Sequence, residues 1–171
     1  MSEPSAVATP RGRPLRGRFA AIALTIALAD QALKAVVVDG FERGVPVEIV
    51  GDWLRIAIVH NTGALFGLFR DTAAIFAIGS AVIAVAIVVA HERAGRNPLL
   101  SLAFGLLLGG AVGNLVDRLR YGYVVDFVDM GIGAWRFYTY NIADAAITMS
   151  IALLFLVSLF PGVAARFGRG G

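Results

Sequence analysis

Along the chain, apolar residues gather into four long runs, 19–38, 72–90, 99–116 and 142–160, separated by stretches that hold most of the charge. Each run approaches the ~20 residues that a helix needs to cross the hydrocarbon of a bilayer. The connection 39–71 has a different pattern: residues 45–59 are rich in β-branched side chains, and Gly51-Asp52 interrupts them as a turn between Val47-Glu48-Ile49-Val50 and residues 53–59. That pattern predicts a small antiparallel sheet, with Trp53 at the membrane interface and the sheet on the outer leaflet as a lid or platform. The expected fold is therefore an all-α membrane protein: four transmembrane helices with a small extracytoplasmic β-sheet between helices 1 and 2. Residues 1–18 carry Pro, Ser, Gly and Arg and predict a disordered tail; 19–160 form the membrane domain and 161–171 a C-terminal tail.

Composition agrees with this division. The 171 residues are 58% hydrophobic and only 16% charged, far from soluble globular averages. A net charge of +3 invites a nucleic-acid reading, but the arginines are spread over tails and loops and form no basic stripe, so no nucleic-acid partner is expected. Positive-inside topology accounts for them better. Arg11, Arg13, Arg16 and Arg18 in the first tail, Arg93 and Arg96 in the short middle turn, and Arg166 and Arg169 in the last tail put both termini in the cytoplasm and both longer connections outside. A competing reading takes Ala27-Leu28-Ala29 as the cleavage site of a leader. The apolar run resumes after Asp30 and reaches spanning length, which favours a retained helix. Cysteine is absent, and His60 and His91 fall on opposite sides of the membrane, so no metal or other cofactor is expected.

Polar residues cluster at one depth. Asp30 and Lys34 are four apart on one face of the first helix; Asn114 and Asp117 lie at the outer end of the third and Asp144 in the first turn of the fourth. Asp126 sits in what reads as a short loop between the last two helices, which brings it to the surface that carries Asp144. Two carboxylates there suit acid–base chemistry, because like charges at close range keep one protonated while the other stays ionised. The bland alternative is that Asp30 with Lys34, and Asp117 with Arg118 or Arg120, are ion pairs that only pin helices. Asn61, Asn114 and Asn141 are able to hydrogen-bond a carboxylate or a peptide backbone in a dry site, and Asn141 also suits a helix N-cap. Gly105, Gly109 and Gly113 repeat every four residues and mark a close-packing seam, with Ala143, Ala146 and Ser150 as a comparable small surface. A small transporter or channel subunit is the rival class, but a conduction path needs polar groups through the full depth and the inner halves offer almost none.

Five blocks occur in order: Asp30-Gln31-Ala32-Leu33-Lys34, Asn61-Thr62-Gly63-Ala64-Leu65-Phe66, Gly113-Asn114-Leu115-Val116-Asp117-Arg118, Val124-Val125-Asp126-Phe127 and Asn141-Ile142-Ala143-Asp144. Together they resemble the lipoprotein signal peptidases, the bacterial signal peptidase II family, over residues 19–160. The resemblance implies an inner-membrane aspartyl endopeptidase that cleaves a prolipoprotein signal peptide just before a diacylglyceryl-modified Cys, with catalytic Asp126 and Asp144. It also implies supporting or substrate-binding roles for Asp30, Lys34, Asn61, Gly63, Asn114, Asp117, Arg118, Asn141 and Ala143. Its partners would be lipidated prolipoproteins and membrane lipids, and a monomer is expected. Leu65, where the family commonly has Ala, and Tyr140, where it commonly has Phe, depart from the pattern without touching a catalytic group.

Overall fold

The computed structural model describes residues 15–62, 73–94 and 96–168. In chain order the elements are α1 (Arg16–Gly40), β1 (Val47–Val50), β2 (Leu54–Asn61), α2 (Ala73–Ala94), α3 (Pro98–Tyr121), β3 (Val124–Ile132), β4 (Trp135–Arg136), α4 (Ile142–Leu159) and α5 (Pro161–Gly168). All four apolar runs are helices long and apolar enough to cross a membrane. Their ends follow local chemistry. Asn97 caps α3 by accepting from the Leu99 and Leu100 N–H groups, with Pro98 as the first helical residue, and Gly122 ends it in the left-handed conformation at φ 76°.

Two boundaries differ from expectation. The first helix begins at Arg16, inside the stretch expected to be a disordered tail, because Arg16 reaches Glu92 at 2.6 Å and Ser101 donates to the Leu15 carbonyl at 3.4 Å. Residues 1–14 of that tail lie outside the described residues. The C-terminal tail holds the short helix α5, which starts on Pro161 and packs against α4 and α3. At the end of the bundle where α1 begins and α2 finishes, His91 is fully buried, stacked 4.0 Å from the Phe19 ring and 3.3 Å from Ser101 Oγ, a polar contact in a half of the bundle that reads as nearly apolar.

The α3 helix is central and packs against α1, α2 and α4. Its glycine seam faces α1: a Cβ on Gly109 would meet the Ala23 carbonyl oxygen and Ile26 Cβ at 2.7 Å, and one on Gly113 would meet Asp30 Oδ2 at 2.7 Å. One residue round the helix, Gly110 lies against the Ala143 carbonyl of α4, and lower down Ser150 donates to the Ala103 carbonyl at 2.7 Å. The helix is thus narrowed on two sides, which lets three backbones approach at the depth of the polar residues.

The sheet expected in the first connection is present, and the connection between α3 and α4 completes it: four antiparallel strands in the order β1-β2-β3-β4. Asp126 therefore stands on strand β3, opposite Val59, and not in a loop. Strand β3 is buried on both faces: Val125 and Phe127 pack with Val37 and Ile58, while Val124 and Asp126 turn the other way and are equally covered. Polar–apolar alternation is consequently missing, and the segment does not announce itself as a strand. Charges tie the sheet together. Arg55 and Arg136 reach Asp129 at 2.8 and 3.0 Å, and Arg136 donates to the Asp52 carbonyl at 2.6 Å. Burial works against ionisation of Asp129, but the hydrogen bonds from Arg136 and Arg55 outweigh it and hold the carboxyl below its usual range.

The seam makes a definite demand on stability. Gly109→Ala forces a methyl against the backbone of α1 and is expected to cost about 1–3 kcal/mol, the usual range for overpacking. Gly79→Ala, where a Cβ meets nothing within 4 Å, is expected to be neutral or slightly stabilising. Thermal unfolding of the two variants in detergent checks this, and equal midpoints would contradict the seam.

Candidate active site

Asp126 and Asp144 reach one another through two neutral amides. Asn141 Nδ2 donates to Asp126 Oδ1 at 2.7 Å and also contacts Asn114 Oδ1 at 3.1 Å, while Asn114 Nδ2 donates to Asp144 Oδ1 at 2.8 Å. The second oxygen of Asp126 accepts from Asn61 Nδ2 at 2.9 Å. Asn141 is also the N-cap of α4: its side chain accepts from the Asp144 N–H at 2.9 Å, and Asp144 returns the contact to the Asn141 N–H at 3.3 Å, a reciprocal capping box. One residue thereby fixes the start of the helix, the rotamer of Asp144 and the position of Asp126. Burial pushes the Asp126 carboxyl up to about 6; the nearby charge of Asp144 adds to that, and the bonds from Asn61 and Asn141 and the charge of Lys34 offset part of it.

Behind the amides lies a charged triad. Lys34 Nζ is 2.7 Å from Asp30 Oδ2, 2.8 Å from Asp117 Oδ2 and 3.1 Å from Asn114 Oδ1. Each carboxylate grips a backbone N–H next to a candidate aspartate: Asp117 accepts from Val125 at 3.0 Å and Asp30 from Ala143 at 3.0 Å. Asp117 thus pairs with Lys34 and not with Arg118 or Arg120. Neighbouring positions on a helix diverge, and Arg118 turns instead to Ser80 Oγ at 3.5 Å and the Asn114 carbonyl at 3.4 Å. Gln31, quoted in the first block but not singled out, completes the triad by donating to Asp117 Oδ1 at 2.8 Å and the Gly113 carbonyl at 3.1 Å. A glutamine one residue after Asp30 has no distinguishing pattern in the sequence. Ala143 is wholly buried against Gly113, leaving no room for a larger side chain. Gly63 and Leu65 lie outside the described residues. Among the described residues no three His, Asp or Glu side chains gather as a metal-holding set.

In front of the carboxylates is a cavity of about 790 Å³ whose walls include Asn61, Asp126, Met130, Tyr138, Asp144 and, further down α4, Met149. It follows the exposed face of α4, with Met149 57% exposed, so an elongated apolar group has access along the helix from the membrane side. The trough is thus polar at the end that holds the two carboxyls and apolar along α4.

The family model for signal peptidase (SPase) II matches residues 22–160. The chain belongs to the signal peptidase II family. It is a membrane peptidase, and its relatives include the lipoprotein signal peptidase of Moorella thermoacetica, 37% identical over 144 residues that cover 84% of this chain and 93% of that protein. The lipoprotein signal peptidase of Burkholderia vietnamiensis is 37% identical over 153 residues, covering 83% and 89%. A bacterial membrane enzyme solved by the in meso method at 1.9 Å superposes with a TM-score of 0.81 at 30% identity, over 88% of this chain and 98% of that one. The expected four-helix fold and the family resemblance both hold.

Within this peptidase the triad sets a stability requirement. Lys34→Met leaves two buried carboxylates without their cation and is expected to destabilise by about 3–5 kcal/mol. The triple variant Asp30→Asn/Lys34→Met/Asp117→Asn removes the stranded charges and is expected to recover part of that loss. Unfolding midpoints in one detergent decide it: a Lys34→Met protein as stable as the parent contradicts the assignment.

Proposed function

We propose that this peptidase removes the signal peptide of prolipoproteins, cleaving on the N-terminal side of a diacylglyceryl-modified Cys, with Asp126 and Asp144 as its catalytic pair. The observation that carries this reading is the Asn141–Asn114 amide bridge, which holds both carboxylates at the head of an apolar trough. The named activity of its curated relatives supports the choice of substrate.

The chemistry needs one proton between the two carboxyls. Asp126, whose acidity burial weakens, holds it; Asp144, at the N-terminal end of α4, takes a proton from the attacking water. Water oxygen bonds to the scissile carbonyl carbon as Asp126 gives its proton to the carbonyl oxygen, forming a neutral gem-diol. The C–N bond then breaks as Asp144 passes its proton to the leaving nitrogen, and the diol returns a proton to Asp126. The pair ends as it began, with no covalent intermediate. Asn141, Asn114 and Asn61 are positioning residues, and the Lys34 triad holds the backbone from which both aspartates project.

The substrate's own lipid supplies its position. Each methylene buried in the bilayer contributes about 0.8 kcal/mol to anchoring, so two acyl chains hold the Cys beside the trough at the level of the outer helix ends. The arginine distribution supports an inner-membrane location with both termini in the cytoplasm and the site on the extracytoplasmic side.

Two sets of assays on the purified enzyme test this reading. Asp126→Asn and Asp144→Asn are each expected to lower kcat by roughly 10²- to 10⁴-fold or more, the span of general acid–base contributions, while leaving the protein folded. Diacylglyceryl transfer to the precursor is expected to raise kcat/KM steeply, and a chelator and a serine-reactive reagent are expected to leave turnover unchanged. Full activity in Asp126→Asn would sink the dyad, and equal cleavage of lipidated and unlipidated precursors would sink the lipid requirement.

A further inference from the structure

A second cavity, of about 290 Å³, opens beside Lys34 and Asp117 on the side away from the trough residues, between the outer end of α1 and the junction of α3 with β3. Val38, Asp39, His60, Arg120, Tyr121 and Tyr123 line it. One wall is a ladder of flat groups. Arg43 donates to His60 Nδ1 at 2.9 Å, the His60 ring stacks on Tyr123 at 3.9 Å, Tyr123 faces Tyr121 at 5.7 Å, and the Arg120 guanidinium lies 5.0 Å from the Tyr121 ring centre. Burial, and then the charge of Arg43, push the His60 imidazole below its usual range, so the ring is neutral and accepts from Arg43.

The charges at this cavity differ from those that tie the sheet and the triad together. Arg55 and Arg136 are paired with Asp52 and Asp129, and Lys34 with Asp30 and Asp117. Among the described residues, Arg120 and Asp39 have no ion pair and no hydrogen bond through their side chains, although both line this one cavity. A cation and an anion that share a cavity without closing on each other leave room for a ligand of the opposite polarity between them. The site is at the outer end of α1, where Val36 and Val38 are 63% and 50% exposed, so a ligand with its head in the cavity has apolar helix surface beneath it for acyl chains.

We propose that this cavity binds the headgroup of an aminophospholipid of the surrounding leaflet, with the phosphate on Arg120 and the ammonium on Asp39. A guanidinium is suited to a phosphodiester, which it engages through two N–H donors at once. A diacylglyceryl group without phosphate lacks both polar handles, so the site is separate from the peptidase trough and selects membrane lipid by its head.

Lipid retention by the full-length protein in detergent, read by native mass spectrometry, tests this assignment. The ligands offered at equal concentration are phosphatidylethanolamine, phosphatidylglycerol and diacylglycerol with matched chains, with inorganic phosphate as competitor. The parent is expected to retain phosphatidylethanolamine at least about tenfold more tightly than either other lipid, and Arg120→Gln to lose about tenfold in affinity. Arg120→Lys, which keeps the charge, is expected to retain part of it, and Asp39→Asn to bring phosphatidylethanolamine down to the level of phosphatidylglycerol. Equal retention of diacylglycerol, no preference for the amine, or an unchanged Arg120→Gln would each overturn the proposal. Displacement by inorganic phosphate at equal concentration would assign the site to a free anion and overturn it as well. The readout is binding rather than cleavage, so its failure leaves the assignment of the dyad standing.

Discussion

Lys34 sits between Asp30 and Asp117 in the interior of the bundle, and the geometry of the candidate active site hangs on that contact. Burying three charges is expensive, and such a triad is weak ground for claiming net stability. Its effect here is positional. Besides Lys34 and Gln31, each carboxylate accepts from one backbone N–H, Val125 for Asp117 and Ala143 for Asp30, and these residues immediately precede Asp126 and Asp144. A strand from the outer sheet and a helix from the membrane are thereby clamped to the same cation. Close approach is a precondition, and Gly113, with Asp30 against its bare face, provides it.

Between the triad and the two carboxyls proposed as catalytic the protein interposes neutral amides. A lysine directly on Asp126 or Asp144 would hold that carboxyl ionised and remove the shared proton that acid–base catalysis needs. Asn141 and Asn114 fix orientation without supplying charge, and Lys34 acts on Asp126 only from a distance. Burial is then free to dominate the acidity of Asp126. The same logic suits the contact of Lys34 with Asn114 Oδ1, whose amide passes position on to Asp144 at no electrostatic cost to the pair.

Much of this was legible in the sequence, and the failures have physical causes. Continuous apolar runs identified the four spanning helices, and the four-residue glycine repeat identified the face that α1 meets. Asn141 advertised its cap by type and place. Strand β3 was missed because burial of both faces erases alternation, and so Asp126 read as a loop residue. The partner of Asp117 was misjudged because proximity in sequence favoured Arg118 and Arg120, whereas the pairing that wins crosses between helices to Lys34. Long-range pairing of this kind, like the roles of Gln31 and the start of α1 at Arg16, is set by packing that no local pattern encodes.

We read Asp126 as the carboxyl that holds the proton of the pair, because it is buried and lies near the charge of Asp144. Isotope-edited infrared spectroscopy of labelled Asp carboxyls across pH reads this directly. Asp126 is expected to be protonated below and ionised above a midpoint of about 6, the corresponding band to vanish in Asp126→Asn, and the midpoint to fall in Asp144→Asn, where a charge that favours the protonated form is gone. Titration of Asp126 at about pH 4, the ordinary carboxylate value, in both the parent and Asp144→Asn would contradict the account.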